Sequence, residues 1–333
     1  MKQAVFAAAL LLGLGLGAHA GPARHGFQPL WLAAVSANEF WLGGKYTVLH
    51  TTDGGRRFHH LPPPPVAGDV NFASSRDGFA FGWRTPLFAT HDGGKTWHRI
   101  DLRSVLAFAA AGGRAYAVTG RCSSDGSCRE IRFERSPVSR DAWVSVPMPF
   151  APAAPNFDLA ARGSDVWLFG GQPLGRYRLK NLLARSIDGG RTFAVAMAPC
   201  YADLAAELEP TSARVVWAFC PTGMMGMAWR STDGGSKFKP LRIARCCVNS
   251  TQLAPASDTS AVVSRVDLGL LRTVNGGVTW KRTHVPRGVA SWYSIEFADA
   301  RVGFGLAQIG TGPAFTLLRT ADAGASWHVV SIR

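Results

Sequence analysis

Residues 90–97 read THDGGKTW, with aspartate at position three, glycine at positions four and five and tryptophan at position eight. Each related octet has Ser or Thr first, Asp or Asn third, Gly fifth and an aromatic residue eighth. The others are TTDGGRRF from Thr51, SIDGGRTF from Ser186, STDGGSKF from Ser231, TVNGGVTW from Thr273 and TADAGASW from Thr320. Because a repeat of 20 to 50 residues indicates a repeat architecture, the spacing of these octets decides the fold.

The octets recur at a nearly constant interval. Successive starts differ by 39, 96, 45, 42 and 47 residues, so one interval is about twice the others. That interval contains a degenerate copy, SPVSRDAW from Ser136, which has Val138 and Arg140 where Asp and Gly are expected. Units starting their octets at residues 51, 90, 136, 186, 231, 273 and 320 therefore fill residues 21–333 and leave no room for a second domain.

Each unit contains the same succession of short segments. In the second unit the segments VNFAS, GFAFG and PLFAT precede the octet. The segment TWHRI, which begins with the last two residues of the octet, ends the unit. Short apolar or alternating segments separated by turn residues are typical of strands. The sequence predicts an all-β fold, a single seven-bladed β-propeller of four-stranded antiparallel blades.

The octet itself has the chemistry of a tight hairpin turn. Glycines adopt left-handed backbone angles, and an Asp or Asn at position three accepts hydrogen bonds from backbone NH groups. A calcium loop needs several oxygen ligands, whereas each octet offers one carboxylate among glycines. We therefore expect structural roles, and no metal, at the third positions: Asp53, Asp92, Asp188, Asp233, Asn275 and Asp322.

The octets match the pattern S/T-x-D-x-G-x-T-W/F and resemble the Asp-box, or bacterial neuraminidase repeat. This motif occurs in sialidases, certain endoglucanases, sortilin-type receptors and photosystem II stability and assembly factor-like proteins. A single propeller with blades such as DGFAFGWRTPLFATHDGG is most similar to the last group. That resemblance implies a non-enzymatic binding platform for the assembly of membrane protein complexes, without a cofactor.

The first 20 residues, MKQAVFAAALLLGLGLGAHA, have the pattern of a secretory signal peptide cleaved after Ala20. We expect a periplasmic or secreted, monomeric protein with no transmembrane segment after cleavage. With 36 basic and 22 acidic residues, the chain carries a net charge of +14. This charge favours a protein partner with an acidic surface, either membrane-associated or not, because long-range fields attract opposite charge. Scattered arginines without a basic tail do not indicate nucleic acid.

An even number of cysteines in an exported chain favours disulfides. Cys122 and Cys128 bracket the loop CSSDGSC and can close on each other. The pairing of the remaining four stays open: Cys200, Cys220, Cys246 and Cys247.

In a four-stranded blade, the loop between strands two and three lies on the face opposite the Asp-boxes. We expect the partner to bind there, because variable loops carry function more often than the scaffold does. The candidate contact residues are basic or aromatic: Arg84, Arg121, Arg129, Arg176, Arg178, Lys180, Arg287, Trp83 and Tyr177.

An enzymatic alternative rests on the innermost strands. Their central positions are polar between apolar neighbours, which predicts side chains facing the central channel: Asn71, Asp158, Glu207, Gln252 and Glu296. A sialidase-like or endoglucanase-like hydrolase would use carboxylates such as Asp158, Glu207 and Glu296 at the channel mouth. A carbohydrate-binding propeller without hydrolysis is a further alternative, since several tryptophans lie outside the octets.

Overall fold

The computed structural model describes residues 27–82, 84–123, 127–152, 156–173, 179–200, 206–221, 226–243, 250–265, 269–310 and 314–332. Within these ranges the strands form seven four-stranded antiparallel sheets, and no helix is present. No segment there is therefore a helix long and apolar enough to cross a membrane.

Four consecutive strands make each blade, in chain order from the channel outward. Blade 1 contains β1 (Trp31–Ala34), β2 (Phe40–Gly43), β3 (Val48–Thr51) and β4 (His59–Leu61). Blade 2 contains β5 (Asp69–Phe72), β6 (Gly78–Phe81), β7 (Phe88–Thr90) and β8 (His98–Arg99). Blade 3 contains β9 (Ser104–Ala111), β10 (Arg114–Cys122), β11 (Cys128–Pro137) and β12 (Val144–Val146). Blade 4 contains β13 (Phe157–Arg162), β14 (Asp165–Pro173), β15 (Leu179–Ser186) and β16 (Ala194–Met197). Blade 5 contains β17 (Glu207–Pro210), β18 (Val216–Pro221), β19 (Gly226–Ser231) and β20 (Lys239–Pro240). Blade 6 contains β21 (Ser250–Pro255), β22 (Ala261–Arg265), β23 (Gly269–Thr273) and β24 (Lys281–Arg282). Blade 7 contains β25 (Val289–Phe297), β26 (Gly303–Ile309), β27 (Phe315–Thr320) and β28 (His328–Val329).

This architecture confirms the predicted propeller, including the unit with the degenerate octet, which forms blade 3. The four segments read from the second unit are β5 to β8. Second strands such as FWLG of β2 and GFAF of β6 are buried at every position. Each of them lies between two neighbouring blades, so its apolar residues do not need to alternate with polar ones.

The six intact Asp-boxes share one kind of hydrogen-bonded turn, for which Asp188 is an example. Its Oδ1 accepts hydrogen bonds from the backbone NH groups of Arg191, at 2.9 Å, and Thr192, at 3.0 Å. The Ser186 hydroxyl donates to the same oxygen at 2.7 Å and accepts from the NH of Gly190 at 2.8 Å. These hydrogen bonds, led by the one from Ser186, hold the pKa of Asp188 well below its usual range.

In the other intact boxes the side-chain oxygen of the third residue accepts the equivalent hydrogen bond from a backbone NH. Asn275 does so with a neutral amide, since its Oδ1 accepts from the NH of Thr279 at 3.0 Å. Gly189 and Gly190 adopt φ values of 73° and 75°, in the left-handed region that favours glycine.

The hydrophobic core is divided among the interfaces between successive blades. The ring closes by packing rather than by strand exchange, because blade 1 and blade 7 are each built from one end of the described chain. Phe40 of β2 and Phe304 of β26 lie 4.4 Å apart between ring centroids. They belong to one buried cluster with Leu42, Leu306 and Leu317, so closure depends on apolar burial.

Arginines immediately before three of the octets tie blades 4, 5 and 6 to the blade that follows each of them. Arg185 of blade 4 donates to the backbone carbonyl of Ala213 in blade 5 at 2.7 Å. Arg230 of blade 5 and Arg272 of blade 6 donate, each at 2.7 Å, to the carbonyls of Asp258 and Ala323. Part of the positive charge of the chain therefore stabilises the scaffold.

Candidate partner-binding face

The two ends of each blade form two different faces of the disc. The NH of Gly54 donates to the carbonyl of Asn38 at 2.8 Å, and the NH of Gly93 donates to that of Arg76 at 2.9 Å. These bonds place the Asp-boxes beside the turns between first and second strands, and we call this end the Asp-box face. The loops between second and third strands lie at the other end, which we call the hairpin face.

The hairpin of β10 and β11 is the largest element described on the hairpin face. These strands have 9 and 10 residues, whereas the corresponding strands of blade 2, β6 and β7, have 4 and 3. A disulfide joins Cys122 to Cys128, which face each other across the hairpin. The bridge constrains the far end of the hairpin, as the sequence predicted.

Arg121 and Arg129 face each other in the register of this hairpin, and both side chains are exposed. Arg132 is exposed on the same strand as Arg129. Like charges on directly opposed strand positions repel each other and destabilise the pairing. The disulfide next to this pair offsets that repulsion, so the hairpin can present arginines at two directly opposed positions.

A β-bulge in this hairpin places Glu130 among the arginines. The register shifts between Thr119 and Arg121, and Glu130 has a φ of 52°. Bulges commonly re-aim a side chain. Here the Glu130 carboxylate lies 2.7 Å from the Arg103 guanidinium and 3.5 Å from that of Arg121. Glu130 therefore neutralises part of the local positive charge and fixes Arg103 against the hairpin.

Arg84 reaches the same region from blade 2. Its backbone NH donates to the carbonyl of Val105 in β9 at 3.2 Å, and the NH of Val105 donates to the carbonyl of Thr85 at 3.2 Å. Arg84 has a φ of 62°, which a tight loop imposes on it. These bonds bring Arg84 beside the base of the blade 3 hairpin.

The other predicted contact residues are not all brought together. Lys180 is half-buried in β15 of blade 4, and Arg287 is exposed in the connector between blades 6 and 7. Arg287 therefore lies at a different blade boundary from the blade 3 arginines, and its place in one binding patch with them stays a prediction. Four further residues lie outside the described ranges: Trp83, Arg176, Tyr177 and Arg178.

A second disulfide, between Cys200 and Cys220, links the end of blade 4 to blade 5, and both cysteines are buried. Cys246 and Cys247 lie outside the described residues. The sequence alone did not predict that Arg103, Glu130 and Arg132 lie with Arg121 and Arg129 at the β10–β11 hairpin. Their clustering follows from the long hairpin and its bulge, and only the basic composition of CREIR hinted at it.

The carboxylates of the innermost strands act mainly between blades. The prediction that Asp158 faces an open channel is wrong, since the residue is 4% exposed. Its Oδ2 accepts a hydrogen bond from the NH of Leu208, in the next blade, at 2.6 Å. Burial raises the pKa of Asp158 to about 6. A buried carboxylate bonded to backbone is not positioned to meet a polysaccharide.

Two other inner-strand residues connect blades in the same way. The Oε1 of Glu296 in blade 7 lies 3.4 Å from the NH of Ala34 in blade 1, which donates to it. Gln252 of blade 6 donates to the carbonyl of Tyr293 in blade 7. Glu207 is half-buried at the start of β17, and Asn71 is half-buried in β5. The polar pattern along the inner strands thus marks blade contacts more than a catalytic pair.

Known proteins give a consistent picture of the fold. A family model described as BNR/Asp-box repeat matches residues 88–99. The comparison with curated proteins finds no match.

Among solved structures, YCF48 bound to D1 peptide is 19% identical, with 89% of this chain and 93% of that chain covered and a TM-score of 0.57. YCF48 from Cyanidioschyzon merolae is 16% identical, with 90% of this chain and 97% of that chain covered and a TM-score of 0.60. A puromycin-hydrolysing peptidase of Mycobacterium tuberculosis is 13% identical, with 92% of this chain and 52% of that chain covered and a TM-score of 0.56.

Similarity at these identities shows the shared fold, and propellers of this kind occur in enzymes and in other proteins alike. The octets, the seven blades and the match at residues 88–99 agree with one another. The chain is therefore a seven-bladed β-propeller of the Asp-box repeat type, and it resembles the YCF48 propellers over nearly its whole length.

Proposed function

We propose that this protein is an exported, non-enzymatic scaffold that binds a protein partner through its hairpin face. The partner carries an acidic surface and belongs to a membrane or envelope complex whose assembly or stability the propeller supports. The observation that carries this proposal is the disulfide-closed hairpin of blade 3, with Arg121, Arg129 and Arg132 exposed on it.

The chemistry of this hairpin suits recognition of carboxylates. Arginine presents a planar fork of donors that binds carboxylates in a bidentate manner. A rigid binding element loses little conformational entropy when its partner docks. Arg84 and Arg103 extend the same basic region toward blade 2, because both lie beside β9.

The similar propellers give independent support. YCF48 has been solved bound to D1 peptide, so a propeller of this fold can hold a peptide segment of a protein. The predicted signal peptide, cleaved after Ala20, would deliver the chain to the periplasm or the exterior, where structural disulfides persist.

Charge reversal tests the proposal. We expect Arg121→Glu/Arg129→Glu to weaken capture of the partner from a solubilised envelope fraction by tenfold or more, since attraction becomes repulsion. The matched control is Arg56→Glu/Arg191→Glu, which makes the same charge change in exposed Asp-box loops on the other face. Quantitative mass spectrometry of the captured proteins measures the effect. Equal capture by both double variants and the wild type would refute the proposed binding face.

A further inference from the structure

Three metal-ligating side chains meet at the boundary of blades 2 and 3, on the Asp-box face: His91, His98 and Asp141. Two of them are unusual for their positions in the repeat. His91 is the only histidine at the second position of an octet, and Asp141 is the only acidic residue at the sixth. Their convergence is therefore not a consequence of the repeat, unlike the hydrogen bonds of the boxes.

The donor atoms are close enough to share one ion. The Nε2 of His98 lies 2.6 Å from the Oδ2 of Asp141, and the Nε2 of His91 lies 3.6 Å from the same oxygen. One ligand atom from each of the three residues lies within 4.8 Å of the others. Tetrahedral ligands at about 2.0–2.1 Å from zinc are separated by roughly 3.4 Å, so small side-chain shifts suffice.

The hydrogen bonding of His91 prepares its ring for coordination. Its Nδ1 lies 2.9 Å from the Oδ1 of Asp77, and the Asp77 carboxylate is fixed through its other oxygen by the Ser74 hydroxyl at 2.8 Å. When Nδ1 carries the proton and donates to the carboxylate, the lone pair of a neutral imidazole is on Nε2. That Nε2 atom is buried and has no hydrogen-bond partner. Carboxylate, histidine and metal in this succession form a common arrangement in metal sites.

Solvent can reach the cluster from outside. The side chain of His98 is 48% exposed and that of Asp141 is 31% exposed. Asp92 does not compete for an ion, because its carboxylate accepts hydrogen bonds from the Thr90 hydroxyl and from the NH and hydroxyl of Thr96.

We propose that His91, His98 and Asp141 bind one divalent transition-metal ion of the zinc class, with Asp77 as the positioning residue for His91. Two imidazoles and one carboxylate suit Zn²⁺ and its neighbours in the first transition row. The ion links the outer edge of blade 2 to the octet of blade 3, and solvent completes its coordination. Loss of the third-position aspartate from this octet coincides with the gain of a metal-ligating one at Asp141.

The competing explanation is a His91 ring that contacts the carboxylates of Asp77 and Asp141 without any metal. The metal site and the metal-free arrangement differ in an observable way. Only the metal site binds added ions with a defined stoichiometry and stabilises the fold through that binding.

The test uses the full chain without a histidine tag, treated with chelator and titrated with Zn²⁺ by calorimetry and with Co²⁺ by visible absorption. We expect one equivalent of Zn²⁺ to bind, a tetrahedral Co²⁺ spectrum and a higher melting temperature. His98→Ala and Asp141→Asn should each weaken binding by at least tenfold, and Asp77→Asn by about 10- to 100-fold, as loss of an outer partner typically does.

The matched control is His328→Ala. His328 follows the octet of blade 7 as His98 follows that of blade 2, and it is likewise exposed. This variant should bind Zn²⁺ as the wild type does. The proposal is overturned if the wild type shows no saturable binding, or if His98→Ala and Asp141→Asn bind as tightly as the His328→Ala control.

Discussion

The two faces of the disc are stabilised by different means. On the Asp-box face, short-range hydrogen bonds within each octet recur around the ring, and arginines such as Arg230 reach the next blade. On the hairpin face, the described stabilising features do not recur: the Cys122–Cys128 and Cys200–Cys220 disulfides and the pairing of Arg103 with Glu130. The repeat therefore builds the scaffold, whereas departures from the repeat mark the places where function is to be sought.

The largest loss of folding stability should follow a change in an intact Asp-box. We expect Asp188→Ala to lower the free energy of unfolding by about 2–3 kcal/mol, because several hydrogen bonds to one carboxylate are lost. Asp188→Asn is the control, since Asn275 performs the same task in blade 6, and it should cost less than half as much. Urea denaturation measures both. Equal losses would show that the charge, rather than the hydrogen bonds, stabilises the turn.

A somewhat smaller loss of folding stability is expected when the disulfide on the hairpin face is removed. Replacing Cys122 and Cys128 together by serine opens a loop with a sequence separation of 6. The chain-entropy relation gives about 2 kcal/mol of lost stability for a loop of this size. The same variant should bind the partner more weakly, while Asp188→Ala should bind it normally at temperatures where it is folded. Unchanged partner affinity in the serine variant would separate the hairpin from binding.

The smallest change in folding stability is expected at Asp158, which lies between the two faces. Burial raises its pKa to about 6, so the folded state holds the proton more tightly than the unfolded state does. The stability from this group is complete below the unfolded pKa near 4 and is lost as pH rises through about 6. Asp158→Asn keeps an acceptor for the NH of Leu208, so at pH 8 it should be more stable than the wild type by about 1–2 kcal/mol.

Unfolding by urea at pH 4 and at pH 8 checks this prediction. The difference between wild type and variant should be larger at pH 8. A variant that is less stable than the wild type at pH 8 would contradict it. The same variant tests the hydrolase alternative: activity on fluorogenic sialosides or glucans that disappears in Asp158→Asn would establish a catalytic role for this carboxylate.

The candidate site was less predictable than the fold. The face opposite the boxes, the Cys122–Cys128 bridge and the presence of Arg121 and Arg129 on that face follow from strand order alone. The role of Glu130 does not, because a bulge displaces the register and brings this acid to Arg103 and Arg121. Whether Arg287, in the connector between blades 6 and 7, shares the binding patch stays a prediction.

The seven blades, the turn at each octet and the face on which each loop lies could all be predicted from the amino-acid sequence. Those features depend on residues within a few positions of one another, where glycine angles and side-chain to backbone bonds act locally. The burial of Asp158 against Leu208 and the contacts of His91 and His98 with Asp141 became evident only in the folded chain. These contacts join residues about one repeat apart, and packing between blades sets their geometry. No local pattern in the chain encodes that distance.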